Sequence, residues 1–181
     1  LNFVEKNKIA RFKQDYENRI FNENYAYSFR KNVKFESRYN TKFMNFDYTI
    51  YTNNYGFRDQ SIRSLDQHKD YILLIGDSFV EGVGLEHNDT LVGLLNKKLT
   101  PKQFEKLEFL NAGVASYSTY IYKKKLETIL NSKKTLNIKT VFLLYDKSDI
   151  LDDKNYMKEY TIEEARIHYD WTTKVHKWNV K

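Results

Sequence analysis

One serine follows directly on an unbroken apolar run of the chain. Residues 71–75 read YILLI, and Gly76-Asp77-Ser78 comes immediately after them. A serine hydroxyl is a poor nucleophile unless a base accepts its proton and hydrogen-bond donors stabilise the oxyanion that forms. A turn between a strand and a helix provides free backbone N–H groups for the second of these tasks. The pattern therefore makes Ser78 the first candidate for a nucleophile in acyl transfer.

The segments around this serine alternate between strand and helix patterns. Continuous apolar runs of strand length cover residues 71–75 and 141–145, and residues 107–110 are read as a further strand. Residues 90–99 and 122–130 carry apolar side chains at helical spacing. Strands linked by helices form right-handed βαβ units, which place the strands in one parallel sheet with helices on both faces. We therefore expect an α/β fold with a central parallel sheet of buried strands.

The residues that follow the three predicted strands are polar or contain glycine. They are Gly76-Asp77-Ser78, Asn111-Ala112-Gly113 and the segment 146–149. Ligands of open α/β sheets bind outside the carboxyl ends of the strands. We therefore expect these three segments to meet in one site.

The N-terminal quarter of the chain has a different character. Residues 1–45 are rich in aromatic and charged residues and show weak periodicity. We expect a helix followed by irregular structure there, as an N-terminal extension to a main domain over residues 46–181. The alternating pattern that starts at Phe46 and the turn residues 53–56 predict a short antiparallel hairpin at the edge of the core.

The composition is that of one folded domain with interleaved charges. The 181 residues are 41% hydrophobic and 16% aromatic, which is typical of a globular chain. The net charge of +6 comes from 30 basic residues interspersed with 24 acidic ones, and the densest basic run, Lys123-Lys124-Lys125, fits a solvated helix face. Net charge is the single feature that favours nucleic-acid binding, so we expect no nucleic-acid partner.

The cellular compartment stays open between cytoplasm and periplasm. The chain has no cysteine, so it offers neither disulfides nor thiolate metal sites. No stretch approaches the ~20 apolar residues of a membrane span, and no signal-peptide pattern is present. The chain begins with Leu1 rather than methionine, which is compatible with a missing upstream signal or anchor.

The stretch G-D-S-F-V-E-G-V-G at residues 76–84 resembles the first sequence block of the SGNH, or GDSL-type, hydrolases. It does not fit the G-x-S-x-G pattern of the α/β-hydrolases or the G-x-G-x-x-G of a dinucleotide-binding loop. The resemblance implies a three-layer α/β/α sandwich, with Ser78 as the nucleophile and its own backbone N–H as an oxyanion donor. Asn111-Ala112-Gly113 is similar to the second block, which implies Gly113 as a second donor.

The third and fourth blocks of that family are matched less well. The family has Gly-x-Asn-Asp after the third strand, whereas this chain has Asp146-Lys147-Ser148-Asp149. The resemblance therefore implies Ser148 as a third oxyanion donor, in place of the asparagine. The family's Asp-x-x-His, which supplies the base, has no counterpart here. His87 and His176 are candidates for a base, but neither has an aspartate three residues before it. We therefore expect that the chain is C-terminally incomplete.

A finer similarity points to a class of substrate. Residues 52–59, T-N-N-Y-G-F-R-D, together with the first two blocks resemble SGNH proteins associated with bacterial cell-surface polysaccharides. This implies a serine esterase or O-acyltransferase that acts on a small ester, such as the O-acetyl groups of a glycan, without metal or organic cofactor. The alternative is a catalytically inactive or truncated SGNH-like domain that binds glycans or serves in assembly. Asp149, Asp152 and Asp153 fit helix capping better than a metal cluster.

Overall fold

The fold is seen in a computed structural model, which describes residues 18–22, 24–40, 45–132, 136–147, 149 and 153. Its strands are β1 (Arg19–Asn22), β2 (Ala26–Phe29), β3 (Lys34–Asn40), β4 (Asn45–Thr52), β5 (Arg58–Asp59), β6 (Asp70–Ile75), β7 (Leu107–Asn111) and β8 (Asn137–Leu143). Its α-helices are α1 (Ser78–Glu81), α2 (Leu91–Lys98), α3 (Pro101–Lys106) and α4 (Thr119–Leu130), with a 3₁₀ turn at His87–Asp89.

Six of the strands form one mixed sheet in the order β3-β4-β5-β7-β6-β8. Strands β7 and β8 run parallel to β6, whereas β3, β4, β5 and β7 pair antiparallel in succession. The three strands that we expected to be parallel are parallel, but the sheet is mixed, because it also contains the antiparallel strands β3, β4 and β5. The reason is the length of the connections, since the segments between β3, β4 and β5 are too short for the crossover that parallel pairing requires. Strands β1 and β2 form a separate two-stranded ribbon.

Helices lie on both faces of the parallel part of the sheet. In β6, Leu73 and Ile75 belong to a large buried cluster that also contains Ile121 of α4. Leu74 points to the other face and packs with Val80 of α1 and with Val92 of α2. The structure thus confirms the general α/β architecture with a strand buried from both sides.

The predicted helix over 90–99 is confirmed as α2, and its start has a clear cause. The Thr90 side-chain oxygen accepts the N–H of Gly93 at 3.1 Å, which makes Thr90 the N-cap. The predicted hairpin is also confirmed, because β4 pairs antiparallel with β5 across a turn in which Gly56 has φ +77°. The main partner of β4, however, is β3, because these two strands pair at seven positions.

Residues 18–40, which we expected to be irregular, form three strands, and that expectation is wrong. In β3 the side chains of Phe35 and Ser37 are buried while those of Lys34, Glu36 and Arg38 are exposed. This is the two-residue alternation of a half-buried strand. The helix expected near the N-terminus falls largely on residues 1–17, which lie outside the described part of the chain.

The third predicted strand is displaced and is not buried. It spans Asn137–Leu143 rather than 141–145, and Phe142 and Leu143 are 51% and 47% exposed. Within the described residues β8 is an edge strand, since only β6 pairs with it. An apolar run predicted the strand, but its burial depends on what packs against it.

Among the described residues, no helix combines the length and the apolar character that crossing a membrane requires.

Candidate active site

The ends of the three parallel strands meet at one edge of the sheet, as expected. After β7, the N–H of Val114 donates to the carbonyl oxygen of Gly76 at 3.1 Å. After β8, the N–H of Leu144 donates to the carbonyl oxygen of Ile75 at 3.0 Å. The segment that leads to Ser78 is therefore flanked by both neighbouring loops.

Ser78 is the first residue of α1, directly after the N-cap Asp77. The Asp77 carboxylate accepts the N–H of Phe79 at 2.9 Å, which fixes the first turn of the helix. Ser78 is partly buried, and within the described part of the chain its hydroxyl has no hydrogen-bond partner. A hydroxyl without a partner is available to a substrate or to a base.

Gly76 is required because the backbone passes very close to its neighbours. A Cβ at this position would lie 2.4 Å from Val80 Cγ2 and 3.0 Å from the carbonyl oxygen of Leu144. The glycine therefore lets β6, α1 and the loop after β8 approach one another. This approach brings the turn that holds Ser78 down onto the edge of the sheet.

Gly113 touches the same short helix from the side of β7. A Cβ there would lie 2.5 Å from the backbone nitrogen of Glu81 and 2.7 Å from Val80 Cβ. The N–H of Gly113 donates to the Asn111 side-chain oxygen at 3.1 Å. The donor that the resemblance assigns to an oxyanion is thus held by Asn111 in this structure, and it would have to exchange that partner to serve a substrate.

The third segment contributes a buried carboxylate at this edge. Ser148, the predicted third donor, lies outside the described residues. Asp149 is 1% exposed, and its Oδ2 accepts the N–H of Asp146 at 3.0 Å and the hydroxyl of Tyr122 at 3.1 Å. Burial raises the pKa of the Asp149 carboxyl above its usual value. Asp149 therefore closes a local turn, in keeping with a capping role.

No metal site appears at this edge or elsewhere in the described residues, where no three His, Cys, Asp or Glu side chains lie close enough to hold an ion. Tyr122 donates its hydroxyl to one of the acidic side chains at this edge, Asp149. Burial and the carboxylates of Asp149, Asp77 and Asp146 all raise the pKa of the Tyr122 hydroxyl. Tyr122 consequently stays protonated and remains a hydrogen-bond donor.

The two described histidines are not hydrogen-bonded to Ser78. His68 is exposed in the loop before β6, at the opposite end of that strand. His87 is buried, and burial followed by the nearby Arg58 and Arg63 lowers the pKa of its imidazole to about 4. It is therefore neutral at pH 7. His176 and the remaining histidine, His168, lie outside the described residues.

Arg58 is the first of the residues at this site that the sequence patterns did not reveal. Its side chain is 1% exposed and donates to the carbonyl oxygens of Glu81 at 2.8 Å and Gly82 at 2.7 Å, and also to that of Leu85. These carbonyl groups lie at and after the C-terminal end of α1. A buried guanidinium thus satisfies the end of the helix that begins with Ser78.

A buried group of three charged side chains lies behind α1, and it too was missed. Arg19, Glu81 and Lys125 are 5%, 0% and 1% exposed. The prediction that 123–125 is a solvated face is wrong for Lys125, because it shares one face of α4 with Ile121 and Ile129. That spacing was readable in the sequence, since positions 121, 125 and 129 fall on one side of a helix.

A comparison of the chain with protein-family models and with curated proteins found no match.

Proposed function

We propose that this chain is a serine esterase or O-acyltransferase of the SGNH type, with Ser78 as its nucleophile. The observation that carries the proposal is the placement of Ser78, whose hydroxyl has no partner among the described residues. It begins a helix that Asp77 caps at one end and Arg58 secures at the other. The motif resemblance at residues 76–84 supplies the class of reaction.

The proposed chemistry has two steps. Ser78 Oγ attacks the carbonyl carbon of an ester while its proton passes to a base, and the carbonyl oxygen becomes an oxyanion. The backbone N–H groups of Ser78 and Gly113, with the hydroxyl of Ser148, are the proposed oxyanion donors. The ester C–O bond then breaks, and the base returns the proton to the leaving oxygen, which departs as a neutral alcohol. Water or a sugar hydroxyl next gives its proton to the base and attacks the acyl-enzyme, and Ser78 regains a proton as the acid or the new ester is released.

The proposal takes its base from the part of the 181-residue chain outside the described residues, where His176 is the candidate, since neither His68 nor His87 is hydrogen-bonded to Ser78. The proposed substrate is a small ester, and an O-acetylated glycan is favoured by the resemblance alone. No step of the reaction requires a metal ion or an organic cofactor.

The test is hydrolysis of p-nitrophenyl acetate by the whole 181-residue chain. We expect Ser78→Ala to lower kcat/KM by about 10³-fold or more, because the acyl-enzyme can no longer form. Ser64→Ala removes an exposed serine from the loop before β6, and it should keep the wild-type rate. Equal rates for wild type and Ser78→Ala, with folding checked by circular dichroism, would overturn the proposal.

A second candidate is a non-catalytic glycan-binding or assembly module with the same fold. It is favoured by the hydrogen bond from the Gly113 N–H to Asn111, which occupies a proposed oxyanion donor. On this reading, O-acetylated oligosaccharides bind to the chain and are recovered with all their acetyl groups. Release of acetate that depends on Ser78 would reject this candidate.

A further inference from the structure

The loop that carries Gly113 is held at both ends by buried charged side chains. Lys125 Nζ donates to the carbonyl oxygen of Ala112 at 2.8 Å. Glu81 Oε2 accepts the N–H of Ala115 at 2.5 Å. Gly113 and Val114 lie between these two contacts, so a hydrogen bond to a charged side chain holds each end of the segment 112–115.

Glu81 connects this loop to α1 and to the N-terminal ribbon, and Lys125 connects it to α4. Glu81 is the last residue of α1, and both of its carboxylate oxygens accept from Arg19 Nη2, at 3.0 and 3.1 Å. Lys125 projects from α4, and its Nζ lies 4.9 Å from the centre of the Tyr117 ring. The helix that begins with Ser78 and the loop that contains Gly113 are therefore joined through Glu81.

Burying Arg19, Glu81 and Lys125 costs desolvation free energy that an apolar core does not require. Two cations and one anion are almost completely removed from water, and each such transfer is unfavourable unless the charges are well paired. Burial lowers the pKa of the Lys125 ammonium to about 7, although Glu81 acts in the opposite direction. When such a charged group is replaced as a whole, apolar side chains of similar size often give equal or greater stability. What the charges provide here is directed bonds to two specific backbone groups.

We propose that Glu81 and Lys125 are positioning residues, which hold the Ala112–Ala115 loop so that Gly113 stays against α1, the helix that begins with the nucleophile Ser78. The assignment of a catalytic consequence rests on the proposed function, because the Gly113 N–H is a proposed oxyanion donor. The hold on the loop itself does not depend on any reaction.

The test compares Lys125→Met with Lys123→Met. Methionine has nearly the length of the lysine stem but cannot donate to the Ala112 carbonyl. Lys123 lies on the same helix with its side chain 72% exposed, so it is the matched control. We expect amide hydrogen exchange in a peptide that covers residues 112–117 to become about 10-fold faster in Lys125→Met. Exchange in β6 should stay close to the wild-type rate, and the thermal midpoint should fall only modestly, because one buried carbonyl loses its donor. Lys123→Met should match wild type in both measurements.

The second readout is the hydrolysis of p-nitrophenyl acetate. Lys125→Met should lower kcat about 10-fold with KM unchanged, because a displaced oxyanion donor affects the transition state more than ground-state binding. Glu81→Gln keeps an acceptor for the Ala115 N–H but loses the charge, so its kcat should fall between wild type and Lys125→Met. It also serves as the working variant if Lys125→Met does not fold.

The outcomes separate the two proposals. Unchanged exchange over residues 112–117 in both Lys125→Met and Glu81→Gln would overturn the positioning role, and so would full activity in both variants. Faster exchange in the variants, with no hydrolysis even by wild type, would leave the hold on the loop established and would reject the esterase instead.

Discussion

Strands β6 and β8 are parallel neighbours with similar apolar sequences, yet their surroundings differ sharply. Ile75 and Leu143 are paired in register at the ends of the two strands, but Ile75 is fully buried and Leu143 is 47% exposed. The segment after β6 is fixed by Asp77 and Arg58, which bond to the two ends of α1. The two strands show that an apolar run indicates a strand, while the segments packed against that strand determine whether it is buried.

The same contrast divides the candidate site. The segments after β6 and β7 touch each other where Gly113 meets Glu81, and buried polar bonds secure both. The segment after β8 is described only in part, and it contributes Asp149, whose carboxylate closes its own turn. The segments after β6 and β7, which carry Ser78 and Gly113, are thus the ones that contacts with each other hold in place.

The largest expected effect compares the two paired side chains directly. Ile75→Ala removes a fully buried side chain and should lower the free energy of unfolding by about 2–5 kcal/mol. Leu143→Ala, at the paired position of β8, should lower it by less than about 1 kcal/mol. Urea unfolding monitored by tryptophan fluorescence or circular dichroism measures both. Equal losses of unfolding free energy in the two variants would mean that β8 is as deeply buried as β6, which would contradict the difference drawn between the strands.

The second prediction concerns the support of α1. Arg58→Leu leaves the carbonyl groups of Glu81, Gly82 and Leu85 without their shared donor, and it should cost about 3 kcal/mol of stability. Arg38→Leu is the matched control, because Arg38 pairs with Asp47 on the exposed side of the sheet and should change the urea midpoint little. A stable Arg58→Leu protein would show that α1 does not need this anchor.

The third prediction is that the free energy of unfolding depends on pH through the buried imidazole of His87. The pKa of His87 is lowered to about 4 in the folded protein, whereas it is about 6.5 in an unfolded chain. Between these values the unfolded state binds more protons, so stability falls as the pH falls from 6.5 to 4. The loss should reach about 2 kcal/mol at pH 5.

The control for this prediction is the other described histidine. His87→Leu should flatten the decrease in stability between pH 6.5 and pH 4, and His68→Leu should leave it in place because His68 is exposed. Unfolding midpoints in urea across this range supply the measurement. An unchanged pH profile in His87→Leu would show that His87 is not held neutral by burial.

Local patterns in the sequence were sufficient for much of this fold. The apolar runs placed β6 and β7 within one residue of their ends, and Thr90 marked the start of α2. The meeting of the strand ends followed from the rule that parallel strands share an edge. Each of these features depends on residues close together in the chain, which is why periodicity reveals them.

The features that were missed depend on contacts between distant segments. Arg58 meets the end of α1 more than twenty residues away in sequence, and Arg19 meets Glu81 across sixty-two. A charged residue is usually exposed, so no local pattern marks Arg58 or Glu81 as buried. Lys125 is the exception, because its helical spacing with Ile121 and Ile129 placed it on the apolar face of α4.

The most direct test of the central claim is labelling of the 181-residue chain with a fluorophosphonate probe, followed by intact-mass analysis beside Ser78→Ala. If Ser78 is an activated nucleophile, wild type should carry one adduct and Ser78→Ala none, with Ser64→Ala labelled like wild type. Failure of the folded wild-type chain to form an adduct, or an adduct that persists in Ser78→Ala, would contradict the account.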